Sequence, residues 1–509
     1  MSWWLAVPTI WVVYKVHKHV LRTCLLSCLP GPSVVSYLWG DIFDLKKSTV
    51  GTLWRTWRKT YGPTYVIHEP LMEPILVLGD VKGAAYVLNN TDIYCILKLW
   101  FGESLLCSEG QAHAERRRRL TPAFNSQSIK RVAPILFDLA YRLTADWNDL
   151  IETEESKVLD ISGALHAYSL NAISMTMFSH NLTAPDGPNT VQTLLKNISN
   201  GPSDKDTVFN RLAAIVIGLY PQLLALPNPL KKWATMLKTE LGNIAQDVWE
   251  AGRQDESVGG KDARVLEVLS QQSRSGEKIS KDAVAEIISI LFAGSETVAN
   301  VTGEFLHEMA HQPLIQEKLR KELIDFEFQH GAPPSFNDLI ASGKDRLKYL
   351  DAVTMEVMRC RAVLMDIARM ATVEDVIPLK TTIPGHKGDG LRVLPGQVIS
   401  IPVRDGINCD PLIWGEDAEE FRPERWFETG IAERGPGLGG ILTFGDGAKS
   451  CIGRAFAMAE FKVSSIYTPR LLLNETSYRS LHPFSSATSL FTLLRTSLIS
   501  TSIILAAIP

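Results

Sequence analysis

Apolar residues recur at helical spacing, with few interruptions, from Ser280 to about His311. This predicts one helix of about 30 residues and about 45 Å. Ser280 or Asp282 suits its N-cap, and Pro313, just past its end, suits the start of a following helix. A mostly helical pattern runs from about Gln111 to Asp325, broken by Pro, Gly and Asn clusters. Two regions read differently. Thr64 to Leu78 is alternating and β-branched (Tyr65-Val66-Ile67, then Ile75-Leu76-Val77-Leu78), and short apolar runs return around Val373 to Val403. Both predict small sheets. No internal repeat is present.

Two further apolar stretches bear on membranes. Trp3 to Tyr14 carries no charge, and Lys15, His17, Lys18, His19 and Arg22 follow it. As a helix it spans about 18 Å, against about 30 Å of bilayer core. Lys15 and Lys18 can snorkel, and Val20 to Leu29 can carry the helix into the interface. A cleaved signal peptide bears its charges before the apolar run, so the order here predicts a retained anchor with the bulk of the chain on the cytoplasmic side. Leu29-Pro30-Gly31-Pro32 then breaks the helix as a stiff hinge. Leu212 to Leu230 holds 19 uncharged residues, but Pro221, Pro227 and Pro229 argue for a helix-loop-helix with an apolar tip, in the core or dipping into a membrane surface.

Composition narrows the field. A chain of 509 residues at 45% hydrophobic can bury one large core or two ordinary ones. A net charge of −4 gives no reason to expect a nucleic-acid partner. Seven scattered cysteines, odd in number, fit a reducing compartment better than a disulfide framework.

One decapeptide carries the chemistry: Phe444-Gly445-Asp446-Gly447-Ala448-Lys449-Ser450-Cys451-Ile452-Gly453, ahead of a helix-like run from Arg454 to Phe461. The glycines let the loop bend tightly and approach a flat ligand. Amides turned toward the sulfur, with a helix N-terminus behind, favour a thiolate. A thiolate suits a soft or borderline metal, and one chain position supplies one ligand; a porphyrin would supply four nitrogens. The competing reading is a structural cysteine in a Gly-rich turn. Midway along the long helix lies Ala293-Gly294-Ser295-Glu296-Thr297. A helix-interior Gly costs about 1 kcal/mol against Ala, so either a close ligand or a tight helix crossing is expected there. Glu356 and Arg359 lie one helical turn apart. In His113 to Leu120, helical spacing sets His113, Arg116 and Arg117 on one side and turns Arg118 and Arg119 away.

The Phe-Gly-x-Gly-x-basic-x-Cys-x-Gly spacing resembles the haem-binding loop of the cytochrome P450 superfamily. The other motifs follow in that family's order from about Leu29 to Lys462. The resemblance is to the eukaryotic microsomal, fungal-like monooxygenases. It implies a mainly α fold with small β-sheets, a triangular helical prism around a buried haem b, with an N-terminal membrane anchor. Cys451 would ligate the iron, and Phe444, Gly445, Gly453, Ala293 and Gly294 would line the haem. Glu296 and Thr297 would activate oxygen, with Val298 where Thr or Ser is usual. Glu356 and Arg359, with Arg425 of Phe421-Arg422-Pro423-Glu424-Arg425-Trp426, would form a structural triad. Cys360-Arg361-Ala362-Val363 departs from the family's usual Leu-(His or Arg)-Pro-Pro. His113, Arg117, Arg369 and Lys449 would meet the haem propionates, Lys449 replacing an arginine and its bidentate fork.

The implied partners are O2, a lipophilic small molecule (terpenoids included) and the endoplasmic reticulum membrane. Electrons would come from NADPH through a separate reductase docked near Arg118 and Arg119, since no dinucleotide fingerprint occurs. The expected division is anchor 1–28, proline hinge and lead-in 29–47, haem-thiolate domain 48–466 and tail 467–509. The family pattern itself stops after Phe461-Lys462. Val463 to Pro509 has 16 Ser or Thr, one acidic residue and no Gly. That stretch reads either as a divergent tail or as translation through a splice donor. Two other functions stay open: a haem-thiolate isomerase or dehydratase, against which Glu296-Thr297 argues, and an inactive haem-binding protein.

Overall fold

In the computed structural model, the described residues are 16–34, 36–41, 44–45, 48, 51–95, 104–153, 161–182, 229–254, 265–270, 279–340, 346–383, 386 and 388–468. The apolar run Trp3 to Tyr14, most of Leu212 to Leu230 and the tail beyond Thr468 lie outside them. The architecture is mainly helical, with a five-stranded and a two-stranded sheet.

Most strands fall in the two expected regions, while β3 and β4 lie outside them. β1 (Thr64–His68) pairs antiparallel with β2 (Pro74–Leu78), and β3 is the short Tyr94–Cys95. β4 (Asp366–Ala371) precedes the β5 (Asp375–Pro378) and β6 (Gly390–Val393) hairpin and β7 (Val398–Pro402). The larger sheet runs β1-β2-β7-β4-β3, with β2 and β7 parallel. Every residue of β2 and β7 is buried, as suits strands inside a sheet covered on both faces. The helix over 16–26 lies on this sheet: Leu26 is buried, and Arg22 donates to Gly396 O at 3.0 Å and pairs with Glu73.

Six helices frame the cysteine motif: α1 (Gly110–Leu120), α2 (Ser126–Thr153), α3 (Ile161–Phe178), α4 (Lys281–His311), α5 (Lys348–Cys360) and α6 (Arg454–Tyr467). α4 matches the long helix expected. Ser280 Oγ caps it by accepting from Ala283 N at 3.1 Å, and Pro313 opens the next helix. It is long and apolar enough to cross a membrane, yet it runs through the core; all-round burial rather than amphipathicity explains its composition. α3 packs along it, and Phe305 of α4 meets Phe461 of α6 edge-on at 5.5 Å.

α6 continues past Lys462, where the family pattern had stopped. Val463 to Ile466 are buried, and Ser464 and Ser465 bond back to Phe461 O at 2.8 and 2.7 Å. Such back-bonding lets serine sit inside a helix. Lys462 Nζ also reaches Leu339 O at 2.8 Å.

Candidate active site

The loop before α6 is shaped by glycine. Gly445 (φ 70°) and Gly447 (φ 67°) are left-handed, a region that strains other residues. A Cβ on Gly447 would stand 2.7 Å from Leu88 O. Cys451 N donates to Phe444 O at 2.8 Å and closes the loop. Gly453 has an ordinary φ of −83°. A Cβ there would only touch Cys451 Sγ and Phe124 at 3.9 Å, so internal packing does not demand its glycine.

Cys451 is exposed although α6 behind it is buried, and Phe444 and Gly445 are half-buried beside it. Burial pushes its thiol up; the Gly453 amide and the charges of Arg117 and Arg454 pull the other way without prevailing. The amide and the nearby cations favour the thiolate, as the loop's sequence suggests, and desolvation of the sulfur opposes them. A bound metal cation would reverse that balance.

On α4, Ala293 is exposed and Thr297 half-buried among mostly buried residues. Spacing of four places both on one face, and Thr297 Oγ1 donates to Ala293 O at 2.7 Å. Gly294 has a different reason to be glycine. An added Cβ would lie 2.7 Å from Ile173 Cγ1 of α3, so the tight helix crossing, not a ligand groove, demands it. Glu296 is buried, with Oε2 3.5 Å from His166 Nε2 of α3.

Three cationic side chains (Arg117, Arg369 and Lys449) and His113 converge beside the loop. Arg117 donates to Ser450 O at 2.6 Å, one residue before Cys451. Lys449 pairs with Glu109 at 3.1 Å and bonds Ser108 O. Burial and the charge of Arg369 hold Lys449 below its ordinary value despite Glu109. His113 is buried, and burial together with Lys449 and Arg117 lowers it to about 4. Arg116 leaves this group and reaches α4, at 2.8 Å from Asp282 and 3.3 Å from Glu286. Arg118 and Arg119 are exposed.

Glu356, Arg359 and Arg425 meet at full burial. Arg359 donates twice to Glu356, at 2.9 and 2.8 Å, and Arg425 Nε donates to Glu356 Oε1 at 3.0 Å. Arg422 N and Trp426 Nε1 complete the carboxylate's shell at 2.8 and 3.0 Å. Burial raises Glu356, but the hydrogen bonds and charge of Arg359, then the charge of Arg425, bring it below its ordinary value. A buried charge network survives when every lone pair is met in this way.

Over residues 30–467 the chain matches the family model described as Cytochrome P450. The chain belongs to the cytochrome P450 family. It is 31% identical over 480 residues to cytochrome P450 monooxygenase claW of Ampulloclitocybe clavipes, an alignment covering 89% of this chain and 87% of that protein. Over 477 residues it is 29% identical to claQ of the same fungus, with the same coverages. The ganoderic acid synthetase CYP5150L8 of Ganoderma lucidum is 27% identical over 493 residues, 89% of this chain and 88% of that one.

Sequence reasoning missed how this P450 fastens its cysteine loop. Asn408 Oδ1 accepts from Leu442 N at 2.8 Å, and Asn408 Nδ2 donates to Thr443 Oγ1 at 2.9 Å and Arg359 O at 3.2 Å. Arg359 in turn donates to Asn408 O at 2.8 Å. The triad of this P450 thus reaches the segment entering the loop through one asparagine. Nothing around Ile407-Asn408-Cys409 signals that role in the sequence. His166 was missed likewise, since a lone histidine on a helix carries no spacing motif.

Proposed function

We propose that this P450 is a haem-thiolate monooxygenase of fungal type that oxygenates a lipophilic small molecule in secondary metabolism. The observation that carries the proposal is the openness of two motif positions: Cys451 is exposed at the head of α6, and Ala293 is exposed with Thr297 half-buried on the mostly buried α4. The cationic group at Arg117, Arg369 and Lys449 supports the fit of an anionic porphyrin. The printed names of the relatives support the reaction class, and the ganoderic acid synthetase supports the metabolic setting.

When bound, haem supplies an iron ringed by four nitrogens and the redox chemistry that activates O2. Cys451 Sγ would be the protein's ligand to that iron. The helical body would form the family's triangular prism around it, held to the endoplasmic reticulum by the N-terminal segment, and a separate NADPH-dependent reductase would supply electrons.

The chain's own residues then have separable tasks. Arg117 fixes the carbonyl next to Cys451. The Glu356–Arg359–Arg425 network and Asn408 hold the segment that leads into the loop. Arg369 and Lys449 neutralise carboxylates that burial would otherwise disfavour. Thr297 spends its hydroxyl hydrogen on Ala293 O, which leaves its oxygen free to accept a hydrogen bond. Glu296 moves a proton.

The test is reconstitution with a P450 reductase, NADPH and isotope-labelled O2 against a panel of terpenoids. The expected result is product carrying one labelled oxygen atom. Product formed without NADPH, or unlabelled throughout, would instead establish the isomerase or dehydratase reading.

A further inference from the structure

We propose that His166 is the positioning partner of Glu296, holding its carboxylate and storing the proton that Glu296 delivers. The proposal rests on the reading of Glu296 as a proton carrier and adds its source. Three observations combine.

The first is tautomeric. His166 Nδ1 lies 2.8 Å from Ser162 O. A carbonyl oxygen only accepts, so Nδ1 carries the hydrogen. In a neutral ring, Nε2 would then present a bare lone pair. That atom is 3.5 Å from Glu296 Oε2. A lone pair facing an ionised carboxylate at this distance is repulsive, and a proton between them turns the contact attractive. Under the proposal, one proton sits between Nε2 and Oε2.

The second is burial. Glu296 is 2% exposed, and its other oxygen, Oε1, makes no hydrogen bond among the described residues. One carboxylate oxygen is thus held by His166 and the other remains to release a proton.

The third is access. The His166 side chain is 15% exposed, against 3% for Glu296. A proton given up by the pair is replaced through the ring, which leaves the pair's charge unchanged over a cycle. Two ionisable groups near this part of α3 are held neutral. Burial pushes Glu460 of α6 far above the carboxylate range, and burial with Glu460 pushes Tyr168 up as well. Neither supplies a charge that could replace His166.

The balance of the step is simple. The proton leaves Nε2 for Oε2, the carboxylic acid releases it at Oε1, and solvent returns one proton to Nε2. No electrons move.

The test uses the full-length protein with isotope-labelled histidine, the His166 signal being assigned by its loss in His166→Phe. NMR should show Nε2 sharing a proton at neutral pH, and Glu296→Gln should convert the ring to the neutral form hydrogenated only at Nδ1. A bare Nε2 in the unmodified protein, or the same signal in both, would overturn the proposal. In turnover, His166→Phe should raise the share of NADPH electrons lost as peroxide on the order of 10-fold, the scale of a positioned proton donor. His166→Gln can hold Oε2 by an amide hydrogen but stores no proton, so it should stay uncoupled. Full recovery with Gln would overturn the storage role. A missing thiolate-type carbon monoxide band in the unmodified protein would sink the haem-thiolate reading alone. An unresponsive His166 signal would sink the pair alone.

Discussion

Thr443 Oγ1 donates to Met358 O at 2.6 Å, tying the segment that enters the cysteine loop to the last turn of α5. Met358 directly precedes Arg359, so the loop and the buried ion network share one stretch of backbone. Asn408 bonds both sides of this junction. Asn408→Ala would leave the Leu442 amide buried and unpaired. It is expected to cost about 1–3 kcal/mol, read as a lower denaturant midpoint at an unchanged slope.

Gly294 and Ile173 should be energetically coupled. Gly294→Ala drives a methyl against Ile173, which overpacking places at about 1–3 kcal/mol, partly offset by about 1 kcal/mol of helix propensity. Ile173→Ala removes the clashing atoms. The double variant should be more stable than the sum of the singles predicts, by about 1 kcal/mol or more. Strict additivity would return Gly294 to the ligand-groove explanation.

His113 sets a pH dependence in the haem-free protein. Its value falls from 6.5 to about 4 in the folded chain. Between those values the unfolded state binds the proton and the native state excludes it, so stability is full above pH 6.5 and falls as pH drops toward about 4. His113→Gln should flatten that part of the stability profile relative to the unmodified protein, as measured by thermal unfolding across the window.

Much of this was legible in the chain. α4 begins one residue after the Ser280 cap because a side-chain oxygen and a following proline mark its ends locally. The β1–β2 and β7 strands follow from alternation. Glu356, Arg359 and Arg425 meet as the family motif implied, and His113, Arg117, Arg369 and Lys449 share one electrostatic environment. What stayed hidden depends on which helices touch. The Ile173 contact with Gly294 and the His166 contact with Glu296 each join residues more than a hundred positions apart, and the α3 ends, Ile173 and His166, carry no motif. The net state of Cys451 was hidden for another reason. Desolvation depends on the whole surrounding fold, whereas the loop's own sequence shows only the amides and charges that oppose it.

The central claim is thiolate ligation by Cys451. The ferrous–carbon monoxide difference spectrum of the expressed protein beside Cys451→Ser tests it most directly. A thiolate-type band in the first that is lost in the second is the predicted result. Identical spectra from the two would contradict it.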